Sequence, residues 1–222
     1  MIQAEFDSDV VTRLRRVRVV PVITIDDAEN AVPLARALVA GGLSCAEITF
    51  RTAAAAAALQ RISAEVPEVL VGAGTVLTAS QADAALEAGA QFIVAPGFAP
   101  HVVEYCQAHA VAVFPGVATP TEIEAALETG LRTLKFFPAE PLGGLTYLKA
   151  VAAPYADVSF IPTGGINATN VASYLAFDRV VACGGSWMAP AAWIAAKQFD
   201  RIRDESRRAV DAAHGRTPPV VV

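Results

Sequence analysis

The chain has 222 residues, enough to bury a full hydrophobic core, and α/β barrels of this length form without a second domain. Hydrophobic residues make up 54% and charged residues 18%, but the apolar runs are short, so no bilayer-spanning helix is expected. A formal net charge of -5 gives no global attraction for nucleic acid.

At the start, Glu5, Asp7 and Asp9 stand where a secretory signal would carry basic residues and then an unbroken apolar stretch. Phe6, Val10, Leu14 and Val17 recur at nearly helical spacing, which predicts an amphipathic helix over 1–17 laid over one end of a larger fold. Eight β-rich runs then follow at roughly even intervals, at 19–25, 46–50, 70–75, 92–96, 112–115, 133–138, 160–163 and 180–183, with alanine-rich helical stretches between them. The alanines of 53–58 look like low complexity, yet Leu59 and Ile62 continue them into a helix, for which alanine has the best propensity. Gly41-Gly42, Gly89 and Gly130 supply the left-handed residues that close helices before the next strand. The tail, 215–222, contains Pro218 and Pro219 and is expected to be loosely held. Count and spacing fit one (β/α)8 barrel domain with an additional N-terminal helix. A doubly wound open sheet is the alternative, but Gly72-Ala73-Gly74 lacks the third glycine of a dinucleotide fingerprint.

Lys135 is the chemically most informative residue. It stands in Thr-Leu-Lys-Phe-Phe-Pro, where hydrophobic neighbours flank an ammonium on both sides. An apolar setting strips hydration from the charged form and favours the neutral amine, a nucleophile toward carbonyls. The competing reading is a strand-end lysine with its head in solvent. In a barrel, chemistry belongs at the carboxyl ends of the strands, and the sequence becomes polar there. Glu47, Thr49 and Arg51 alternate with Ile48 and Phe50, so period two gathers the first three on one face. Glu47 then suits proton transfer and Arg51 a bidentate hold on a carboxylate, unless the two merely pair with each other. Gly72-Ala73-Gly74-Thr75 offers a small-residue edge with a hydroxyl at its tip, though tight packing alone would also explain its glycines. After the last two runs, Thr163-Gly164-Gly165 and Gly184-Gly185-Ser186 put two glycine pairs in adjacent loops, the arrangement with which barrels cradle phosphate.

Other chemistries are less supported. Cys45, Cys106 and Cys183 are spaced neither as a disulfide framework nor as metal ligands and read as reduced cytosolic thiols. His101, His109 and His214 form no ligand motif and read as solvated surface residues. No serine-hydrolase elbow or nucleotide phosphate loop is present. A phospho-sugar isomerase or epimerase with Glu47 as base, or a non-catalytic phosphometabolite-binding protein, are the competitors to carbonyl chemistry at Lys135.

The segments Glu47-Ile48-Thr49-Phe50-Arg51-Thr52, Val71-Gly72-Ala73-Gly74-Thr75-Val76, Lys135-Phe136-Phe137-Pro138-Ala139-Glu140, Pro162-Thr163-Gly164-Gly165-Ile166 and Gly184-Gly185-Ser186-Trp187 closely resemble the class I 2-keto-3-deoxy-6-phosphogluconate (KDPG) aldolases, the bifunctional 4-hydroxy-2-oxoglutarate (KHG) aldolase family. The resemblance implies a (β/α)8 barrel, a homotrimer, a small-molecule 2-keto acid and phosphorylated aldehyde as substrates, and neither metal nor organic cofactor; the thiols and the acidic start point to a cytoplasmic location. By the same resemblance Lys135 is the Schiff-base lysine and Glu47 the general acid/base. Arg51 and Thr75 contact the pyruvyl carboxylate, and Thr163 lies near the substrate hydroxyls. Pro96 and Phe137 form apolar walls, and Gly164, Gly165, Gly184, Gly185 and Ser186 hold phosphate. Phe50 replaces the family's more usual leucine and, by strand parity, faces outward.

Overall fold

The computed structural model describes residues 2–215, with side chains from Asp9 onward. The expected contribution of Phe6 to the first helix, and the expected loose tail beyond Gly215, lie outside the described residues. Helix α1 (Ile2–Val17) precedes strand β1 (Val19–Ile23). There follow α2 (Ala31–Ala40), β2 (Cys45–Thr49), α3 (Ala55–Glu65), β3 (Leu70–Gly74), α4 (Ala79–Glu87), β4 (Phe92–Val94) and α5 (Pro100–Ala108). Strands β5 (Ala112–Phe114) and β6 (Gly116–Val117) lead to α6 (Pro120–Glu128), β7 (Thr133–Phe136), α7 (Gly144–Ala152) and β8 (Ser159–Pro162). The chain continues through α8 (Val171–Leu175), β9 (Cys183–Gly185), α9 (Ala191–Ala195) and α10 (Phe199–Ala213).

The strands pair in parallel, in the orders β5-β4-β3-β2-β1-β9 and β6-β7-β8, and isolated parallel bridges join Phe160 to Val180 and Thr163 to Gly184. The result is an α/β fold with a curled parallel sheet. Two strand expectations need correction. The run expected at 112–115 forms β5 but ends at Phe114, and Pro115, with no N–H to donate, separates it from a further short strand, β6, that the count of eight leaves out. The last strand is not 180–183 but Cys183–Gly185, which pairs with Val19, Val20 and Pro21. Gly184 and Gly185 therefore belong to the ladder as well as to the loop that follows. Their lack of side chains made them read as loop, while a ladder needs only backbone.

Period two divides the strands into two faces. Ala46, Ile48, Val71, Ala73, Leu134 and Phe136 pack outward in the layer shared with the helices. Val20, Cys45, Leu70, Phe92, Phe114 and Ile161 point the other way and form an inner cluster together with Val10 and Leu14 of α1. Three of the expected helix closures hold their glycine in the left-handed region, Gly42, Gly89 and Gly130, with φ of 92°, 93° and 87°. All three cysteines are buried and free. Burial pushes the Cys106 and Cys183 thiols up to about 12, and Cys45 further in the same direction, so they stay protonated at neutral pH.

Because Leu14 is 1% exposed and sits in the inner cluster, Leu14→Ala removes a plug that no other described part of α1 replaces at that depth. Urea unfolding should show a loss of about 2–5 kcal/mol, the scale of a cavity in a packed core. A loss below about 1 kcal/mol would mean that α1 is not part of the cooperative core.

Candidate functional site

The centre of the site is a buried pair of opposite charges. Lys135 on β7 is 5% exposed and Glu47 on β2 is 3% exposed, and Lys135 Nζ lies 3.7 Å from Glu47 Oε1. Period two turns both side chains to the inner face, away from Leu134 and Ile48, so a lysine with its head in solvent is not what forms. At 3.7 Å the contact is an ion pair beyond hydrogen-bond range, and Glu47 Oε1 is buried with no hydrogen-bond partner. A buried carboxylate oxygen in that condition is costly, the kind of group found where a structure carries chemistry. Beneath the pair, a void of about 10 Å³ is bordered by Leu14, Phe92, Phe114 and Ile161. It holds at most a single water, so the charges are desolvated from below. On the side, the Phe137 ring centroid lies 5.1 Å from Nζ, within cation–π range.

Glycines make the pair possible. A Cβ on Gly74 would come 2.0 Å from Glu47 Oε1, and one on Gly72 would come 2.4 Å from the Phe92 ring. These glycines clear space for neighbouring side chains, which decides for packing over a direct backbone approach to a ligand. Gly184 likewise leaves room for Thr163, whose Oγ1 a Cβ would meet at 2.4 Å, and Gly185 for the Trp187 ring, which a Cβ would meet at 2.0 Å, while both keep their backbone on the cleft.

Above the pair opens a cleft of about 310 Å³. Of the residues singled out in the sequence, Arg51, Lys135, Phe137, Thr163, Gly164 and Gly165 line it, as do Gly184, Gly185 and Ser186 on the next strand end. Glu47 lies just below. Thr75 joins through Arg51, whose Nε donates to Thr75 Oγ1 at 3.0 Å, so Arg51 is tied to β3 and not to Glu47. Thr75 has φ of 57°, uncommon for a β-branched residue and a local strain at the strand end. Pro96 is not among the lining residues; its carbonyl oxygen lies where a Cβ on Gly116 would come within 2.0 Å.

The loops beyond β7 and β8 are fastened to each other. Ala139 N donates to Thr163 O at 2.8 Å and Glu140 N to Gly164 O at 3.0 Å. Tyr174 Oη donates to Glu140 Oε1, and burial together with this bond pushes the phenol upward, so it remains a donor. Gly164 and Gly165 take φ of 99° and 82°, and a Cβ on Gly165 would meet Glu140 Cβ at 2.6 Å. Sequence reasoning missed three lining residues: Val22, Thr24 and Ile166. The signal for the first two was available, since Val20 and Val22 on β1 and Thr24 just past its end share one parity. Among the described residues, no group of three His, Cys, Asp or Glu side chains is arranged to hold a metal ion, and no helix is long and apolar enough to cross a membrane.

Comparison with known proteins places the chain in a family. The family model for KDPG and KHG aldolase matches residues 10–204. The chain belongs to this family. Among its relatives, the 2-dehydro-3-deoxy-phosphogluconate aldolase of Treponema pallidum is 57% identical over 189 residues, covering 85% of this chain and 90% of that one. The KHG/KDPG aldolase of Escherichia coli K12 is 45% identical, covering 88% and 92%. Among solved structures, the KDPG aldolase of Legionella pneumophila, holding pyruvate captured at low pH as a covalent carbinolamine intermediate, superposes with a TM-score of 0.85 at 36% identity. That match covers 94% of this chain and 98% of that one.

Gly74→Ala tests the packing account of this family member. Overpacking against the Glu47 carboxylate should lower urea stability by about 1–3 kcal/mol. Gly97→Ala, where a Cβ would meet nothing within 4 Å, should change it by no more than about 0.5 kcal/mol. Equal behaviour of the two variants would contradict the role given to Gly74.

Proposed function

We propose that the chain is a class I aldolase that cleaves KDPG reversibly to pyruvate and glyceraldehyde 3-phosphate through a Schiff base on Lys135, and that it also cleaves KHG to pyruvate and glyoxylate. The observation that carries this reading is the buried Lys135–Glu47 pair, 3.7 Å apart at the floor of an open cleft. Family membership and the names of the relatives point the same way.

The residues divide the work as follows. The Lys135 amine adds to the C2 ketone, and loss of water from the carbinolamine gives an iminium. Glu47 takes the proton of the C4 hydroxyl, directly or through a water, as the electrons of the C3–C4 bond move into the iminium. The C4 oxygen becomes the aldehyde of glyceraldehyde 3-phosphate, which leaves, and the enamine remains on Lys135. Protonation at C3 and hydrolysis then release pyruvate and restore the amine. Arg51, braced by Thr75, holds the carboxylate so that the ketone stays beside Lys135. Phe137 and Pro96 act as apolar walls; Phe137 is supported by its place in the cleft lining, Pro96 by the family resemblance alone. Thr163 serves the substrate hydroxyls, and Gly164, Gly165, Gly184, Gly185 and Ser186 border the end of the cleft that takes the phosphate.

This reading takes the fold as one closed (β/α)8 barrel domain with α1 packed over one end. Support comes from the bridges joining β8 to β9, the continuation of β5 into β6 across Pro115, and the burial of Leu14 against the inner cluster. It takes the enzyme as a homotrimer needing neither metal nor organic cofactor, as the family resemblance implies, and as cytoplasmic, as its unpaired cysteines suggest.

Glu47→Gln keeps the shape but cannot accept the proton, so KDPG cleavage, followed as pyruvate release, should fall about a hundredfold or more. Parent turnover should be indifferent to chelators. A folded variant that cleaves at nearly the parent rate would make Glu47 a mere ion-pair partner, and activity lost to chelator and restored by a divalent metal would contradict the Schiff-base reading.

A further inference from the structure

We infer that Thr24 reads a substrate hydroxyl, and that the group it reads is the C5 hydroxyl of the phosphorylated 2-keto acid. The argument begins with a count of protons. Thr49 Oγ1 lies 2.9 Å from the Ile23 carbonyl oxygen and donates to it. A hydroxyl has one proton and a carbonyl has none, so the proton of Thr49 is committed there. The 3.0 Å contact between Thr24 Oγ1 and Thr49 Oγ1 must then have Thr24 as its donor. With its own proton spent on Thr49, Thr24 faces the cleft it lines as an acceptor only. Such an oxygen repels a phosphate or a carboxylate and is complementary to a hydroxyl donor.

Topology says which hydroxyl. In the sheet, β1 stands between β2 and β9, with β3 beyond β2. It therefore bridges the side carrying Arg51 and Thr75 and the side carrying Gly184, Gly185 and Ser186. A substrate with its carboxylate at the first side and its phosphate at the second lays its middle carbons across β1. Val22 is level with Glu47 in the register, and Thr24 follows two residues on, roughly 6.6 Å further toward the cleft mouth. Glu47 takes the C4 oxygen from the β2 side and Thr163 approaches the hydroxyls from the β8 side, so the hydroxyl that faces Thr24 beyond β1 is the one on C5. This assignment rests on the aldolase reading above.

The test runs in the addition direction, with pyruvate and either glyceraldehyde 3-phosphate or 3-phosphooxypropanal, which lacks only the hydroxyl that becomes O5. The parent should prefer glyceraldehyde 3-phosphate in kcat/KM, and Thr24→Val should reduce that preference about three- to tenfold, the worth of one neutral hydrogen bond. Thr24→Ser should keep it, and Thr24→Ala repeats the test should valine disturb folding. The Thr49–Ile23 bond is independent of the Thr24 side chain, so packing loss alone would lower both rates and leave the ratio unmoved. An active parent whose preference is the same in the valine and alanine variants overturns the role of Thr24 alone. A parent that makes product from neither aldehyde overturns the aldolase reading, and this assignment with it.

Discussion

Two opposite charges held out of water, 3.7 Å apart and on different strands, set the constraint that the rest of this molecule accommodates. Burying a carboxylate and an ammonium together carries a desolvation penalty of several kcal/mol per ion in real proteins, and their attraction offsets it only with good geometry and further partners. Here the geometry is incomplete, because Glu47 Oε1 has no hydrogen bond. A fold under no demand but stability would do as well with two apolar side chains of similar volume at these positions. In the mechanism proposed above the pair is kept for its reactivity: an amine and a carboxylate that do not saturate each other leave capacity for a substrate carbonyl and its protons.

The surroundings hold this frustrated pair in place. Gly74 gives the carboxylate room, Phe92 and Phe114 close it off from below with Leu14, and Phe137 sets an aromatic face beside the ammonium. Toward the cleft the constraint is relaxed, and polar groups appear in a ring of strand ends: Arg51 with Thr75, Thr24 with Thr49, Thr163 against Gly184. The backbone absorbs what side chains cannot. Thr75 accepts a left-handed φ of 57°, and Gly164 and Gly165 follow with φ that few other residues adopt, so that the loops beyond β7 and β8 can lie against each other.

Much of this was legible in the chain because it is local. The alternation of Glu47 and Thr49 with Ile48 fixes which side chains face inward, and the same parity turns Lys135 away from Leu134 and Phe136. Glycines that close helices are readable from their position after an apolar run. What could not be read is what strand neighbours decide. Gly72 and Gly74 serve Phe92 and Glu47, which sequence order does not bring near them, and Gly184 serves Thr163. The last strand was placed too early because its ladder runs through Gly184 and Gly185, whose pairing with Val20 and Pro21 has no side-chain signature. Thr24 has no signature of its own in the chain, because one threonine past a strand end says little until Thr49 and Ile23 show where its proton goes.

The central claim is that the buried amine of Lys135 is a carbonyl nucleophile, and covalent trapping tests it most directly. Incubation of the protein with pyruvate and borohydride, followed by digestion and mass spectrometry, should find the reduced pyruvyl adduct on the peptide that contains Lys135, with activity lost in step with its accumulation. An adduct confined to other lysines, or full activity retained after exhaustive treatment, would contradict the account.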